Sequence, residues 1–216
     1  MYRLLSILFA AAIVLAQSSF ARAEDTQSAQ TVLANLAKSQ RAPNTFQATT
    51  SVQLKKRGFP WTTVALNGTS YYEAPNHLAV RFTNLPGYMS GLPGAYAKVL
   101  NVGAWPGQYT ATLGQSRSVN GHTDLVLQLA PKDSASSDRG VVAVNPADWT
   151  VEQVSWNLSG GVQLNMSEGY ARVGTYRVPA TQLVSIRTPY ATADGSARLQ
   201  NYAVNIPINR RIFAQE

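Results

Sequence analysis

The stretch FQATTSVQL at residues 46–54 decides the fold, because two sets of side chains alternate along it. A period of two places one set on each face of a β-strand, so the stretch predicts a strand with one buried face. A polar turn signal, Lys55-Lys56-Arg57-Gly58, follows directly, and Trp61 to Tyr72 is again rich in Thr, Val and Tyr. The two stretches therefore predict an antiparallel hairpin. Its first strand presents Phe46, Ala48, Thr50, Val52 and Leu54 on one face.

The flanking sequence predicts one helix before this hairpin and a long run of strands after it. Between Thr26 and Ser39 apolar residues recur at spacings of three and four, which is typical of an amphipathic helix. After Pro75-Asn76, a period of two continues through further short stretches to Ile206. The total is about ten or eleven strands, with few helices and no regular alternation of strand and helix. A sheet of that many antiparallel strands must curl or split, and a wide barrel leaves room for a ligand.

Composition excludes several kinds of chemistry. The 216 residues are 45% hydrophobic, which suits one domain with a sizeable core, and they include no Cys. The absence of Cys rules out disulfides, thiolate zinc sites, a cysteine nucleophile and a lipid anchor attached through cysteine. The two histidines, His77 and His122, have no local signature of a catalytic triad, and the carboxylates lie mostly near turns. We therefore expect no enzyme activity, no metal site and no cofactor.

Residues 1–23 have the order of a cleaved secretory signal. A basic start at Arg3 precedes an apolar run from Leu4 to Ala16, and Ala21-Arg22-Ala23 forms an A-x-A site before Glu24. The alternative is an uncleaved anchor, but about thirteen apolar residues fall short of the ~20 that span a bilayer. We expect cleavage before Glu24, export to the periplasm, and one domain over residues 24–216.

Charge is spread along the chain. The net charge is +7, without the clustered Lys and Arg and interleaved aromatic residues that indicate nucleic-acid binding. Nucleic acid is therefore not an expected partner. Attraction to an anionic lipid surface is an alternative, for which the short tail Asn209-Arg210-Arg211 is the candidate.

The segment from Leu85 to Pro106 is unusually long, apolar and interrupted by Gly and Pro. Long loops in compact domains are often functional, and we expect a short helix near Gly94 to Asn101. Two interpretations remain open: a mobile lid over a pocket, or a plug at one end of the core. The candidate lid residues are Tyr88, Met89, Leu92, Tyr96 and Trp105.

Several motifs together resemble a known family. After the N-terminal helix and the Phe46-x-Ala48 strand come Tyr71-Tyr72-Glu73-Ala74-Pro75-Asn76-His77-Leu78-Ala79-Val80-Arg81-Phe82, then Tyr170-x5-Tyr176-Arg177-Val178-Pro179 and Gln200-Asn201-Tyr202-Ala203-Val204-Asn205. In this order the motifs resemble the LolA-like periplasmic lipoprotein carriers and outer-membrane lipoprotein-sorting proteins. The resemblance spans nearly the whole chain after residue 23.

The resemblance implies a mainly β fold, an incomplete, half-open antiparallel barrel with an N-terminal helix and a helical or loop lid. It implies an apolar concave face that holds the acyl chains of a lipoprotein or lipid, and a membrane-bound donor or acceptor protein as a further partner. Where the family has an arginine before the hairpin proline, this chain has Ala74 and so departs from the pattern of the family's lid latch. The chain also lacks the lipobox cysteine of the anchored members, so the soluble binders are the nearer relatives.

Alternation along the strands predicts which side chains form this pocket, because a period of two assigns the faces strictly. The predicted pocket residues are Val52, Leu54, Val64, Leu66, Leu78, Val80, Phe82, Leu127, Val154, Trp156, Leu164, Met166, Val184 and Ile186. An alternative function for the same fold is an envelope-stress sensor or protein-interaction module. A stable protein partner recovered with an empty pocket would distinguish that alternative from a carrier.

The signal sequence generates the first prediction. N-terminal sequencing of the protein recovered from the periplasm is expected to begin at Glu24, because signal peptidase cleaves after small residues in an A-x-A site. Recovery of a soluble protein that still begins at Met1 would contradict export by this route.

Overall fold

The computed structural model describes residues 29–38, 43–58, 60–119 and 121–215. The expected signal segment and its cleavage site lie outside these residues. Eleven strands are present in the described part of the chain: β1 Thr45–Lys56, β2 Thr63–Glu73, β3 His77–Phe82, β4 Tyr109–Leu113, β5 Arg117–Val119, β6 His122–Pro131, β7 Arg139–Asn145, β8 Thr150–Leu158, β9 Val162–Val173, β10 Tyr176–Arg187 and β11 Thr192–Val204. The helices are α1 (residues 29–38), α2 Leu92–Leu100 and α3 Trp105–Gln108, with 3-10 turns at Gly87–Met89, Val102–Ala104 and Arg210–Gln215.

The strands form one antiparallel sheet that does not close. Its order is β3-β2-β1-β11-β10-β9-β8-β7-β6-β4, and β5 pairs with β6 outside this path. Pairing of β1 with β11 joins the first three strands to the remaining ones, with Val52 opposite Ala197. The two edges, β3 and β4, stay unpaired with each other, so the result is the incomplete antiparallel barrel that the sequence predicts.

Residues 83–108 carry the chain from one edge of the sheet to the other. They leave β3, run through α2 and α3, and enter β4, so they bridge the open side of the barrel. We call these residues the cover segment. The predicted short helix is confirmed as α2, which begins two residues earlier than expected, with Pro93 in its first turn, where a missing N–H costs nothing.

The core lies between the inner face of the sheet and these helices. Ala29, Leu33 and Leu36 of α1 pack against the sheet, as the spacing of three and four predicts. Trp156 on β8 contacts the indole of Trp105, with ring centroids 5.9 Å apart, and the ring of Tyr109 at 5.1 Å. This aromatic cluster fills the half of the barrel built by β4 to β9.

Trp156 also generates a prediction about the core. A Cβ atom at Gly140, its partner on β7, would lie 2.9 Å from two atoms of the Trp156 ring, which is 1% exposed and cannot withdraw. We expect Gly140→Ala to lower the free energy of unfolding by about 1–3 kcal/mol, as overpacking of a filled core does. Urea denaturation measures the change.

Gly94→Ala is the matched control, because a Cβ there meets no atom within 4 Å. In helix α2 this substitution is expected to raise the free energy of unfolding by about 0.5–1 kcal/mol. If Gly140→Ala were as stable as the native protein, the packing of Trp156 against β7 would be wrong.

Candidate functional site

A large apolar cavity inside the barrel lies between the sheet and the cover segment. Its volume is about 410 Å³, within the ~300–1,000 Å³ range that is typical of ligand pockets. Among the residues that the structure describes, no charged side chain lines it. The lining residues are Val52, Leu54, Phe82, Tyr88, Met89, Gly91, Leu92, Ala95, Tyr96, Val99, Leu100, Leu158, Val162, Leu164, Met166, Gln182, Val184, Ile186, Thr188 and Ala197.

Strand register places all fourteen predicted pocket residues on the inner face of the sheet. Antiparallel partners share a face, and the pairs run without a break from Phe82 opposite Gly68, through Val52 opposite Leu66, to Leu127 opposite Val142. Seven of the fourteen line the larger cavity: Val52, Leu54, Phe82, Leu164, Met166, Val184 and Ile186.

The other seven predicted pocket residues lie elsewhere on the inner face. Leu78 lines a second, smaller cavity, whereas Val64 and Leu66 pack in the same apolar cluster as Val52 and Leu54. Val80, which is part of β3, is buried. The remaining three belong to the aromatic half of the core: Leu127, Val154 and Trp156. Alternation therefore predicts the face correctly, but α1 and the Trp105 cluster cover part of that face.

Four of the five candidate lid residues line the larger cavity: Tyr88, Met89, Leu92 and Tyr96. Trp105 differs, because it is fully buried against Trp156 and Tyr109 in the core. By Trp105 the chain has already reached the β4 edge of the sheet. The segment thus covers the cavity up to α2 and packs into the core after it, and the mobile lid stays a prediction.

Some cavity residues were not predicted from the sequence. Gln182 is on the same face as Val184 and Ile186, which follow it by two and four positions. Because its side chain is polar, an alternation of apolar residues does not predict it. Leu158 and Val162 flank the turn at Ser159-Gly160-Gly161, where the alternation stops. Val99 and Leu100 lie on the side of α2 that faces the cavity, and that side depends on where the helix begins and how it packs.

Exposure along the strands gives the cavity a direction. On β10, Gln182 is 2% exposed, and the side chains become half-buried at Ile186 and Thr188. On β9 the same change runs from Met166, which is buried, to Val162, which is half-buried. The deep end therefore lies at Gln182, and the mouth lies at the β8–β9 and β10–β11 turns.

A chain of hydrogen bonds closes the deep end. The Tyr96 hydroxyl on α2 donates to Gln182 Oε1 at 2.6 Å, and Gln182 Nε2 donates to Glu168 Oε1 at 2.7 Å. The Tyr170 hydroxyl lies 2.7 Å from Glu168 Oε2 and 3.0 Å from the Val151 carbonyl oxygen. Burial raises the pKa of the Glu168 carboxyl above its ordinary value of 4.5, and it also raises the pKa values of the Tyr96 and Tyr170 phenols. These bonds join the cover segment to the sheet.

A smaller cavity of about 100 Å³ lies behind this chain. It shares Tyr96, Leu100 and Gln182 with the larger cavity, and its wall also carries Glu168 and Arg177. Arg177 forms an ion pair with Asp148 and lies over the Tyr170 ring. This space has about a quarter of the volume of the larger cavity and is polar on one side, so the 410 Å³ cavity is the candidate binding site.

In the described part of the chain, His122 has the neighbouring carboxylates that a hydrolytic site would need. Its Nε2 atom lies 3.1 Å from Asp124 Oδ1 and 3.7 Å from Glu152 Oε1, and 3.1 Å from Asn145 Nδ2. Within the described residues, no serine is among the hydrogen-bond or ion-pair partners of His122. The described ranges also hold no group of three or more His, Asp or Glu residues arranged for a metal ion. In the same ranges, no helix has the length and apolar character needed to cross a membrane.

Comparison with known proteins identifies the fold. The sequence matches no family model and no curated protein. Its structure is similar to an outer membrane lipoprotein-sorting protein domain from Vibrio parahaemolyticus, with a TM-score of 0.63 at 12% identity over 87% of this chain and 97% of that chain. The fold is LolA-like. A LolA superfamily protein from Nitrosomonas europaea superposes with a TM-score of 0.55 at 12% identity over 86% of this chain and 96% of that one. A DUF1329 family protein from Desulfovibrio piger reaches 0.64 at 10% identity, over 88% and 97%.

Glu168 generates a prediction about pH. Its pKa is raised in the folded protein, so the neutral carboxyl stabilises the fold below about pH 4.5, and this stability is lost as the pH rises through the folded pKa. Glu168→Gln removes this loss, because the amide stays neutral. We expect the variant to gain stability relative to the native protein as the pH rises above about 4.5, measured by urea unfolding across pH.

Glu73→Gln is the control of opposite sign. Arg210 donates to Glu73 Oε1 at 2.7 Å and holds the pKa of that carboxyl below its ordinary value. Its contribution is therefore present above the ordinary pKa, and Glu73→Gln should lose stability relative to the native protein over the same pH range. A Glu168→Gln variant with the native pH profile would show that folding does not raise the pKa of Glu168.

Proposed function

We propose that this protein binds an acylated molecule, a lipid or the acyl chains of a lipoprotein, in the 410 Å³ cavity and carries it through the periplasm. The observation that supports the proposal most strongly is a ligand-sized cavity whose wall includes no charged side chain. Such a wall offers an acyl chain little besides removal from water. The LolA-like fold supports the same class of function, since one similar structure is described as a lipoprotein-sorting domain.

Burial of methylene groups would supply the binding energy. Each buried CH₂ contributes about 0.8 kcal/mol, so about ten of them contribute about 8 kcal/mol before the cost of ordering the chain. No bond is made or broken in this mechanism. Release requires only that the chain move into a site of similar apolarity, such as a bilayer or another carrier. The periplasm is the proposed location, because the N-terminal sequence has the order of an export signal.

Leu92→Asp tests the cavity. Leu92 lies at the start of α2 and lines the cavity, so a carboxylate there would place a charge against the acyl chain. We expect the affinity for a fluorescent fatty acid to fall by about tenfold or more, as measured by titration of the probe fluorescence.

Leu183→Asp is the matched control. Leu183 alternates with the inward-facing Gln182 and Val184, and it is 64% exposed on the outer face of β10. This variant should bind the probe as the native protein does. Equal affinities for the native protein and Leu92→Asp, with both folded by circular dichroism, would remove the cavity under α2 from the mechanism.

Mass spectrometry of the native protein identifies the cargo. Protein purified from its own envelope and extracted with organic solvent is expected to yield an acylated molecule in a defined ratio to the chain. Recovery of an empty protein in a stable complex with another protein would support the alternative interaction module.

A further inference from the structure

Exposed aromatic side chains concentrate at the mouth of the cavity. Across the described residues, five large apolar side chains are exposed, and the three aromatic ones are Trp61, Tyr88 and Tyr190. Tyr88 lines the cavity itself and is 79% exposed. Trp61 is in the β1–β2 connection, and Tyr190 is in the β10–β11 turn, which forms one side of the mouth. All three therefore belong to the end of the barrel at which the cavity opens.

Backbone pairing places the Trp61 and Tyr190 connections side by side. At the ends of β1 and β11, Lys56 is opposite Ala193, and the Arg57 N–H donates to the Thr192 carbonyl oxygen at 2.7 Å. The β8–β9 turn lies on the other side of Tyr190, because Arg187 on β10 is opposite Gln163 on β9. Consecutive connections thus form a continuous edge around the mouth.

This edge is basic. The connections and the strand residues next to them contribute Lys55, Lys56, Arg57 and Arg187, against the single carboxylate of Asp194. Arg57 Nη2 donates to Asp194 Oδ1 at 2.8 Å, so that carboxylate is already neutralised. Lys55 and Arg187 are exposed, and three positive charges remain beside the aromatic side chains. We call Lys55, Lys56, Arg57, Trp61, Tyr88, Arg187 and Tyr190 the mouth rim.

The basic tail that the sequence suggested for a lipid surface lies elsewhere. Arg210 donates two hydrogen bonds to Glu73, at the end of β2. Glu73 is opposite Thr45 at the start of β1, so the tail sits at the end of the sheet away from Lys56 and the mouth. The positive charges beside the cavity mouth are therefore those of the rim, whereas the basic tail lies at the other end of the sheet.

We propose that the mouth rim docks on the surface of an anionic lipid bilayer. Trp and Tyr favour the interface between headgroups and acyl chains, because their rings are apolar and carry one polar atom. Lys and Arg nearby attract the negative surface potential of anionic lipids. Docked in this way, the cavity opens toward the acyl region, and an acyl chain can pass between bilayer and cavity with little exposure to water. The role of docking in the transfer of an acyl chain rests on the proposed function, whereas binding to a bilayer is measured without any cargo.

Vesicle sedimentation with the exported full-length protein tests the docking. Vesicles of phosphatidylcholine with about one-third phosphatidylglycerol are compared with phosphatidylcholine alone. We expect at least about tenfold stronger binding to the anionic vesicles at about 0.1 M salt, and loss of most of that difference at about 0.5 M, where screening is strong. The indole emission of Trp61 should shift to shorter wavelength on binding, and the shift should disappear in Trp61→Phe.

Variants separate the rim from the rest of the surface. Trp61→Ala and Tyr190→Ala should each weaken binding about threefold or more, and Lys56→Glu about tenfold. Leu183→Ala is the apolar control on the outer face, and Arg211→Glu is the charge control in the exposed tail. Both controls should bind as the native protein does. Circular dichroism verifies that each variant is folded.

Two results would overturn the proposal. One is equal or absent binding of the native protein to both kinds of vesicle, which would leave the rim to a protein partner. The other is an equal loss of binding in the control variants, which would show that the charge of the whole surface and not the rim is responsible. Loss of docking with retained fatty-acid affinity contradicts only this inference, whereas normal docking with no fatty-acid affinity contradicts only the proposed function.

Discussion

The pairing of β1 with β11 is the interaction on which the rest of the structure depends. It joins two runs of strands into one sheet, so that apolar residues from Phe82 to Leu127 share a single inner face. Because β3 and β4 do not pair, that face has an open side that water would otherwise reach. The cover segment, α1 and the Trp105 cluster each cover a part of this open side. The cavity is the part of the face where the cover stands away from the sheet.

Alternation along the strands was sufficient to predict the antiparallel sheet, the number of strands and the inner face. The reason is physical: a period of two assigns each side chain to a face, and a one-residue slip would turn Val52 and Leu54 outward. The motifs around Pro75 and Tyr202 added the half-open form of the barrel through their resemblance to a family. The helix α2 was predictable because Gly and Pro punctuate its ends, and its apolar residues lacked the strand period.

The shape of the cavity was not predictable, because it depends on which parts of the inner face are covered at close range. Trp105 and Tyr88 have similar sequence surroundings, yet one is fully buried against Trp156 and the other is 79% exposed. Only the position of β4 in the sheet distinguishes them. Gln182 was not predictable for a different reason. A polar side chain on a buried face needs hydrogen-bond partners, and those of Gln182, Tyr96 and Glu168, are distant from it in sequence.

The contacts of the cover segment differ between its two ends, and so does the way in which each end is held. At the C-terminal end, Asn101 Nδ2 donates to the Asn76 carbonyl oxygen at 2.5 Å, and Lys98 forms an ion pair with Asp138. Tyr96 binds Gln182 at the deep end of the cavity. Near Tyr88 the hydrogen bonds of residues 86–91 are local ones, such as Met89 N–H to the Pro86 carbonyl oxygen. Near the mouth, where the basic and aromatic side chains are, these hydrogen bonds lie within the segment itself, whereas at the deep end Tyr96 ties α2 to the sheet.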